Sequence, residues 1–144
     1  TTQMAEFGAY LAHWTVMLAT SGSHRQTSDL GRRLKELQVA VLTVENVVSA
    51  LAQIETAISL DAIVLEKSLL RQEPEGLLRA ILKLRPSAGI VVLSEEPAAE
   101  PRKLWPDIVF ASVHADADAI LLAMIEARSL AGRRKHQGPA SKEA

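Results

Sequence analysis

The sequence has 144 residues, enough for one domain of ordinary size with a core of its own. Hydrophobic residues make up 48% and charged residues 23%, which excludes a disordered chain, and a net charge of −1 provides no overall positive field for nucleic acid or an anionic membrane. Cysteine is absent, which removes disulfides, thiolate catalysis and cysteine-bound metal together.

Residues 1–13 read as an N-terminal extension. Met4, Phe7, Leu11 and Trp14 recur at helical spacing before the first strand, and the chain opens on Thr1, as a processed fragment would. No basic stretch followed by an apolar run marks a signal peptide, and no apolar run is long enough to span a bilayer, so a cytoplasmic protein is expected.

Five short runs rich in valine and isoleucine then alternate with longer amphipathic stretches. The runs are Thr15–Thr20, Val39–Val44, Ala62–Leu65, Gly89–Leu93 and Asp107–Val113. They are apolar without strict alternation, the pattern of strands covered on both faces. Between the first two, Thr27, Leu30, Leu34 and Leu37 form a helical stripe. Between the second and third, Val47, Leu51, Ile54 and Ile58 do so, with Asn46 as N-cap. Leu77, Ile81 and Leu84 form the next stripe, which Pro74 opens and Pro86 ends. Glu96–Trp105 contains Pro97 and Pro101 and has room for a short helix at most. The last helix is expected from Asp116 to Leu130, capped by Asp116 or Asp118 and stopped at Gly132. Residues 132–144 are polar and basic and read as a disordered tail or linker. The domain itself spans 14–131. Strict strand–helix alternation calls for an α/β, doubly wound parallel sheet with helices on both faces.

Motifs that carry chemistry are scarce. Ser21-Gly22-Ser23 after the first strand is a turn rather than a phosphate loop. His13, His24, His114 and His136 are scattered, and His114 to Asp118 reads as a helix N-terminus rather than a metal site. Arg133-Arg134-Lys135 reads as a solvated tail, and Trp14 and Trp105 as packing residues. Neither nucleophile nor cofactor loop can be named, so neither an enzyme nor a bound cofactor or metal is expected. In such a sheet the C-terminal strand edge is where ligands bind, and here that edge offers Thr20, Ser21, Glu66, Ser94 and Ser112.

On these segments the chain resembles the receiver domains of bacterial two-component response regulators. Asp61-Ala-Ile-Val-Leu-Glu66 is similar to the family's third strand, which ends in the phosphorylated aspartate. Gly89-Ile-Val-Val-Leu-Ser94 is similar to its fourth, which ends in Thr or Ser. The resemblance implies a flavodoxin-like (βα)5 fold with strand order 2-1-3-4-5. It also implies a degenerate site. Thr20 and Ser21 stand where the family binds Mg²⁺ with an acidic pair, Glu66 replaces the phosphoryl acceptor, and Ser112 lies where strand five would supply a Lys followed by Pro. Ser94 alone keeps the family's residue type.

A phosphorylation-independent pseudo-receiver is therefore expected, acting by protein–protein contact in bacterial signalling or transcription regulation. The family's helix 4–strand 5–helix 5 face implies a homodimer through Lys103, Ile120, Leu121, Met124, Ile125 and Arg128, because the last helix carries more apolar residues than one stripe needs. Neither nucleic acid nor membrane is expected as a partner. Within the resemblance, Glu66 is either a partial mimic of a phosphorylated aspartate or a solvated loop residue. The alternative function is a small-ligand sensor that binds a polar effector through Thr20, Ser21, Ser94 and Ser112.

Overall fold

The computed structural model describes residues 11–21, 25–70, 73–100 and 103–143, and for 25–27 and 134–143 the backbone only. Five parallel strands, β1 (Thr15–Ala19), β2 (Ala40–Val44), β3 (Ala62–Glu66), β4 (Gly89–Ser94) and β5 (Ile108–Ser112), form one sheet of order β2-β1-β3-β4-β5. Among the described residues four α-helices connect and follow them: α1 (Arg25–Glu36), α2 (Val47–Thr56), α3 (Pro74–Leu84) and α4 (Ala117–Glu143). This is the α/β flavodoxin-like (βα)5 arrangement, with no α-helix between β4 and β5 among the described residues. There the described residues of the proline-interrupted segment form a 3₁₀ turn, Pro97–Ala99.

Alternate residues of the strands supply two cores. Met17, Ile63, Ile90 and Val92 meet Ile54 of α2, Leu78 and Ile81 of α3, and Trp105 and Phe110. On the opposite face Val16, Leu18, Val64 and Val91 meet Leu30 and Leu34 of α1 and Ile120, Leu121 and Met124 of α4, with Leu11 among them. β3 and β4 are buried along their whole length, which explains their unbroken apolar sequences.

Local chemistry sets the element ends. Asn46 accepts a hydrogen bond from the Ser49 N–H at 2.8 Å and caps α2. Asp116 does the same for α4, accepting from Ala119 at 2.9 Å, while Asp118 pairs with Arg33 at 2.7 Å. α2 stops before Ile58, whose side chain is fully exposed instead of continuing the apolar stripe. The Arg85 guanidinium donates to the Ile54 and Ala57 carbonyls and thereby satisfies the end of the helix. Leu84, expected in the α3 stripe, is also partly exposed.

α4 runs on through Gly132 to Glu143, so the expected stop there does not occur. A helix tolerates an interior glycine at a cost of about 1 kcal/mol, and αL geometry is needed only where the chain turns away. Gly89 has a definite role. A Cβ there would lie 2.5 Å from the Arg128 nitrogen and 2.7 Å from the Ala127 carbonyl carbon, so α4 crosses the start of β4 at backbone distance. Met4, Phe7, Gly22, Ser23 and His24 lie outside the described residues.

Candidate functional site

The strand order reverses between β1 and β3. In an open parallel sheet, the crevice beyond the C-terminal ends of two such strands is the natural ligand position. Thr20 and Ser21 leave β1 at this point and Glu66 ends β3 beside them. Glu66 fills the crevice. Its side chain is buried, with 1% of the residue exposed. The Thr20 hydroxyl donates to its Oε2 at 2.6 Å. The Ser21 backbone N–H and hydroxyl donate to its Oε1 at 3.1 and 2.8 Å. Both carboxylate oxygens are thus held by β1's exit, across 46 positions of sequence from Thr20 and 45 from Ser21. Glu66 is part of the buried framework, and the reading of it as a solvated loop residue is corrected.

Ser94, also buried, belongs to a second cluster. Its hydroxyl donates to Glu100 Oε2 at 2.6 Å and accepts from the Glu96 N–H at 3.1 Å. Lys67 reaches both Glu100 oxygens, at 2.8 and 2.7 Å. The Glu100 side chain is only 6% exposed. Burial pushes its carboxyl upward, but the hydrogen bonds from Lys67 and Ser94 and the Lys67 charge outweigh burial and hold it below the ordinary glutamate range. A cleft of about 480 Å³ opens beside this cluster, floored by Leu93 and Val113.

Ser112 stands opposite Ser94 in the β4–β5 register, yet its hydroxyl accepts from the His114 N–H at 3.0 Å and shapes the turn after β5. His114 Nε2 lies 3.0 Å from Glu95 at the surface. The five expected positions therefore separate into Thr20–Ser21–Glu66, Ser94 with Glu100, and Ser112 alone. Glu100 and Lys67 were missed by sequence reasoning. Glu100 lies in a proline-flanked stretch with no periodicity, and only the lysine next to Glu66 hinted at a counter-charge.

The donor set does not suit a hard divalent cation. Mg²⁺ bound through protein takes carboxylate oxygens in near-octahedral geometry. This crevice has two neutral hydroxyls and one carboxylate whose oxygens already accept hydrogen bonds from the chain. Among the described residues no group of three or more His, Asp or Glu side chains converges to hold a metal.

The expected interface residues are placed differently. Ile120, Leu121 and Met124 are fully buried against α1, Leu11 and the sheet and offer no surface to a partner, which corrects their assignment to an interface. α4 packs on the sheet and, beside it on the same face, on α1, so two sides of it are covered within the chain. Ile125 is half-buried, Arg128 lies 3.9 Å from Asp61, Lys103 is exposed, and among the described residues Leu122 is the large apolar α4 residue left at the surface.

No protein-family model matches the sequence, and none of the curated proteins does. Solved structures do resemble it. An adenylate cyclase from Rhodopirellula baltica superposes with a TM-score of 0.70 at 15% identity, over 92% of this chain and 99% of the other. A response regulator receiver domain protein (CheY-like) from Methanospirillum hungatei gives 0.67 at 14%, over 85% and 98%. A response regulator from Burkholderia pseudomallei, solved with a phosphorylated aspartic acid, gives 0.63 at 20%, over 89% and 74%. The fold is that of a receiver domain. At such identities the likeness extends to architecture and leaves the site to be read from its own residues. Among those described, no helix is long and apolar enough to cross a membrane.

Proposed function

We propose that this chain is a phosphorylation-independent receiver-like module that regulates by protein–protein contact, in the cytoplasm of a bacterial signalling or transcription-regulating system, and is not an enzyme. One observation carries the reading: the acceptor position holds Glu66, buried, with both oxygens bonded to Thr20 and Ser21. In-line phosphoryl transfer needs an exposed carboxylate oxygen and a bound cation to neutralise developing charge. Here the carboxylate is turned inward, where it pins the exit of β1 to the end of β3. A residue that elsewhere receives a signal serves in this chain as a fixed structural tie.

The ligand-sensor alternative has less support. Its hydroxyls do not converge, because Thr20 and Ser21 donate to Glu66, Ser94 donates to Glu100, and Ser112 accepts from its own turn. Incubation with acetyl phosphate and Mg²⁺ tests the proposal by intact-mass measurement. The expected result is an unchanged mass. A phosphoryl adduct mapped to Glu66 overturns the reading.

A further inference from the structure

β2 closes the sheet, and among the described residues nothing pairs with its outer side. The Ala40 N–H donates to the Trp14 carbonyl, and the Val44 carbonyl accepts from the Thr20 N–H. Backbone groups alternate along a strand, so Ala40, Leu42 and Val44 bond toward β1, and the N–H and C=O groups of Val41 and Thr43 point outward. Proteins usually blunt such an edge with a charge, a proline or a bulge. Ala-Val-Leu-Thr-Val carries no charge and no proline, and its pairing with β1 is unbroken. The other edge differs: every residue of β5 is at least partly buried, whereas Ala40 and Thr43 of β2 are exposed.

Along the α1 side of β2 runs a groove of about 370 Å³, bordered by Val41, Thr43, Gly31, Arg32, Lys35 and Glu45. Its charge is polar in direction. Lys35, in the last turn of α1, lies toward the start of β2, and Glu45 follows its end. Arg32 is already paired with Asp29.

We propose that the outer side of β2 is a self-association surface whose occupant is β2 of a second copy, paired antiparallel about a dyad at Leu42. Val41 then faces Thr43 of the partner subunit, and the outward N–H and C=O groups of each exchange hydrogen bonds, the narrow-pair geometry of an antiparallel ladder. The dyad brings Glu45 of each copy toward Lys35 of the partner subunit. A parallel arrangement would place like charges together, and a partner lacking this reversed pair of charges would not match the groove at both ends. The inference rests on the protein-contact part of the proposed function and is independent of Glu66.

Sedimentation equilibrium of the full chain from about 10 µM to about 1 mM, the range of weak association, tests it. The wild type is expected to dimerise with concentration. Thr43→Lys sets a charge on the edge, and Thr43→Pro removes an outward N–H while sparing the ladder to β1. Both are expected to be monomeric, with retained circular dichroism showing that the fold persists. Lys35→Glu and Glu45→Lys are each expected to weaken the dimer about fivefold, and the double variant to restore it. A wild type that stays monomeric overturns the proposal. So does a dimer indifferent to both Thr43 variants, a double variant that fails to recover, or Val41 and Thr43 amides equally protected from exchange at every concentration, which would mean that this chain covers its own edge. A phosphoryl adduct at Glu66 would remove the proposed function's phosphorylation independence and leave these outcomes unchanged.

Discussion

Glu66, at the end of β3, and Glu100, after the 3₁₀ turn that follows β4, both hold their carboxylates in buried hydrogen-bonded clusters, and their neighbours give them different sensitivities. Three donors converge on Glu66 from Thr20 and Ser21. Glu66→Gln replaces one acceptor oxygen by an amide nitrogen facing those donors, and a loss of about 1–3 kcal/mol in unfolding free energy is expected by urea titration. Thr20→Val removes a donor without changing volume much, and a smaller loss of about 1 kcal/mol is expected. Glu100 should report pH. Its folded carboxyl is held below the ordinary glutamate range, so its contribution is complete above the unfolded value and drains as pH falls through the lowered folded value. Lys67 is half-exposed, which screens the pair, so Glu100→Gln is expected to cost about 1 kcal/mol at pH 7. Melts of wild type and variant should converge as the pH is taken below the folded value. A gap that stays constant into acid would mean that the ion pair contributes nothing.

At the scale of elements, α4 crosses Gly89 at backbone distance. Gly89→Ala would drive a methyl group against the backbone of Ala127 and Arg128, which cannot swing aside as a side chain can. A destabilisation of about 1–3 kcal/mol or more is expected in thermal or chemical denaturation. Gly132 gives the opposite expectation. It lies within α4 and a Cβ there meets nothing within 4 Å, so Gly132→Ala should stabilise by about 0.5–1 kcal/mol. The burial of α4 can be tested directly. Met124→Ala should cost about 2–5 kcal/mol as a core truncation, while Leu122→Ala, at a residue 52% exposed, should change stability by under about 0.5 kcal/mol. Comparable small effects at both positions would return Met124 to the surface.

For the whole molecule, the strands were legible because burial on both faces leaves unbroken Val- and Ile-rich runs, as in β3 and β4. The alternation with helices gave the parallel sheet, while its order 2-1-3-4-5 was implied by the resemblance to receiver domains. The helix faces were read less well. Ile120, Leu121 and Met124 looked like a surplus for one stripe because α4 packs on both the sheet and α1, and hydrophobic periodicity cannot distinguish a second internal neighbour from an external partner. Ile58 failed for a tertiary reason, since Arg85, 28 residues from Ala57, donates to the carbonyl there and holds the helix end just before Ile58. The site residues were found individually at the strand edge, but their grouping was not legible. Whether Glu66 points into a crevice or into water depends on where β1 exits, which no local pattern encodes.

The parallel topology also has a kinetic consequence. No strand of this sheet can pair with its neighbour through a tight hairpin. The tie between Thr20 and Glu66 closes a loop of 46 residues, and β1 must hold its place until β3 arrives. Loop-closure entropy is committed before such distant contacts form, so folding in milliseconds or slower is expected, against microseconds for a helical bundle of similar size. Any β1–β2 pair that precedes β3 has open backbone on both sides, and two such pairs from different chains can join before either sheet is complete. Refolding yield in stopped-flow or dilution experiments should therefore fall as protein concentration rises. Thr43→Lys should recover it, even under conditions where the finished protein shows no change in stability.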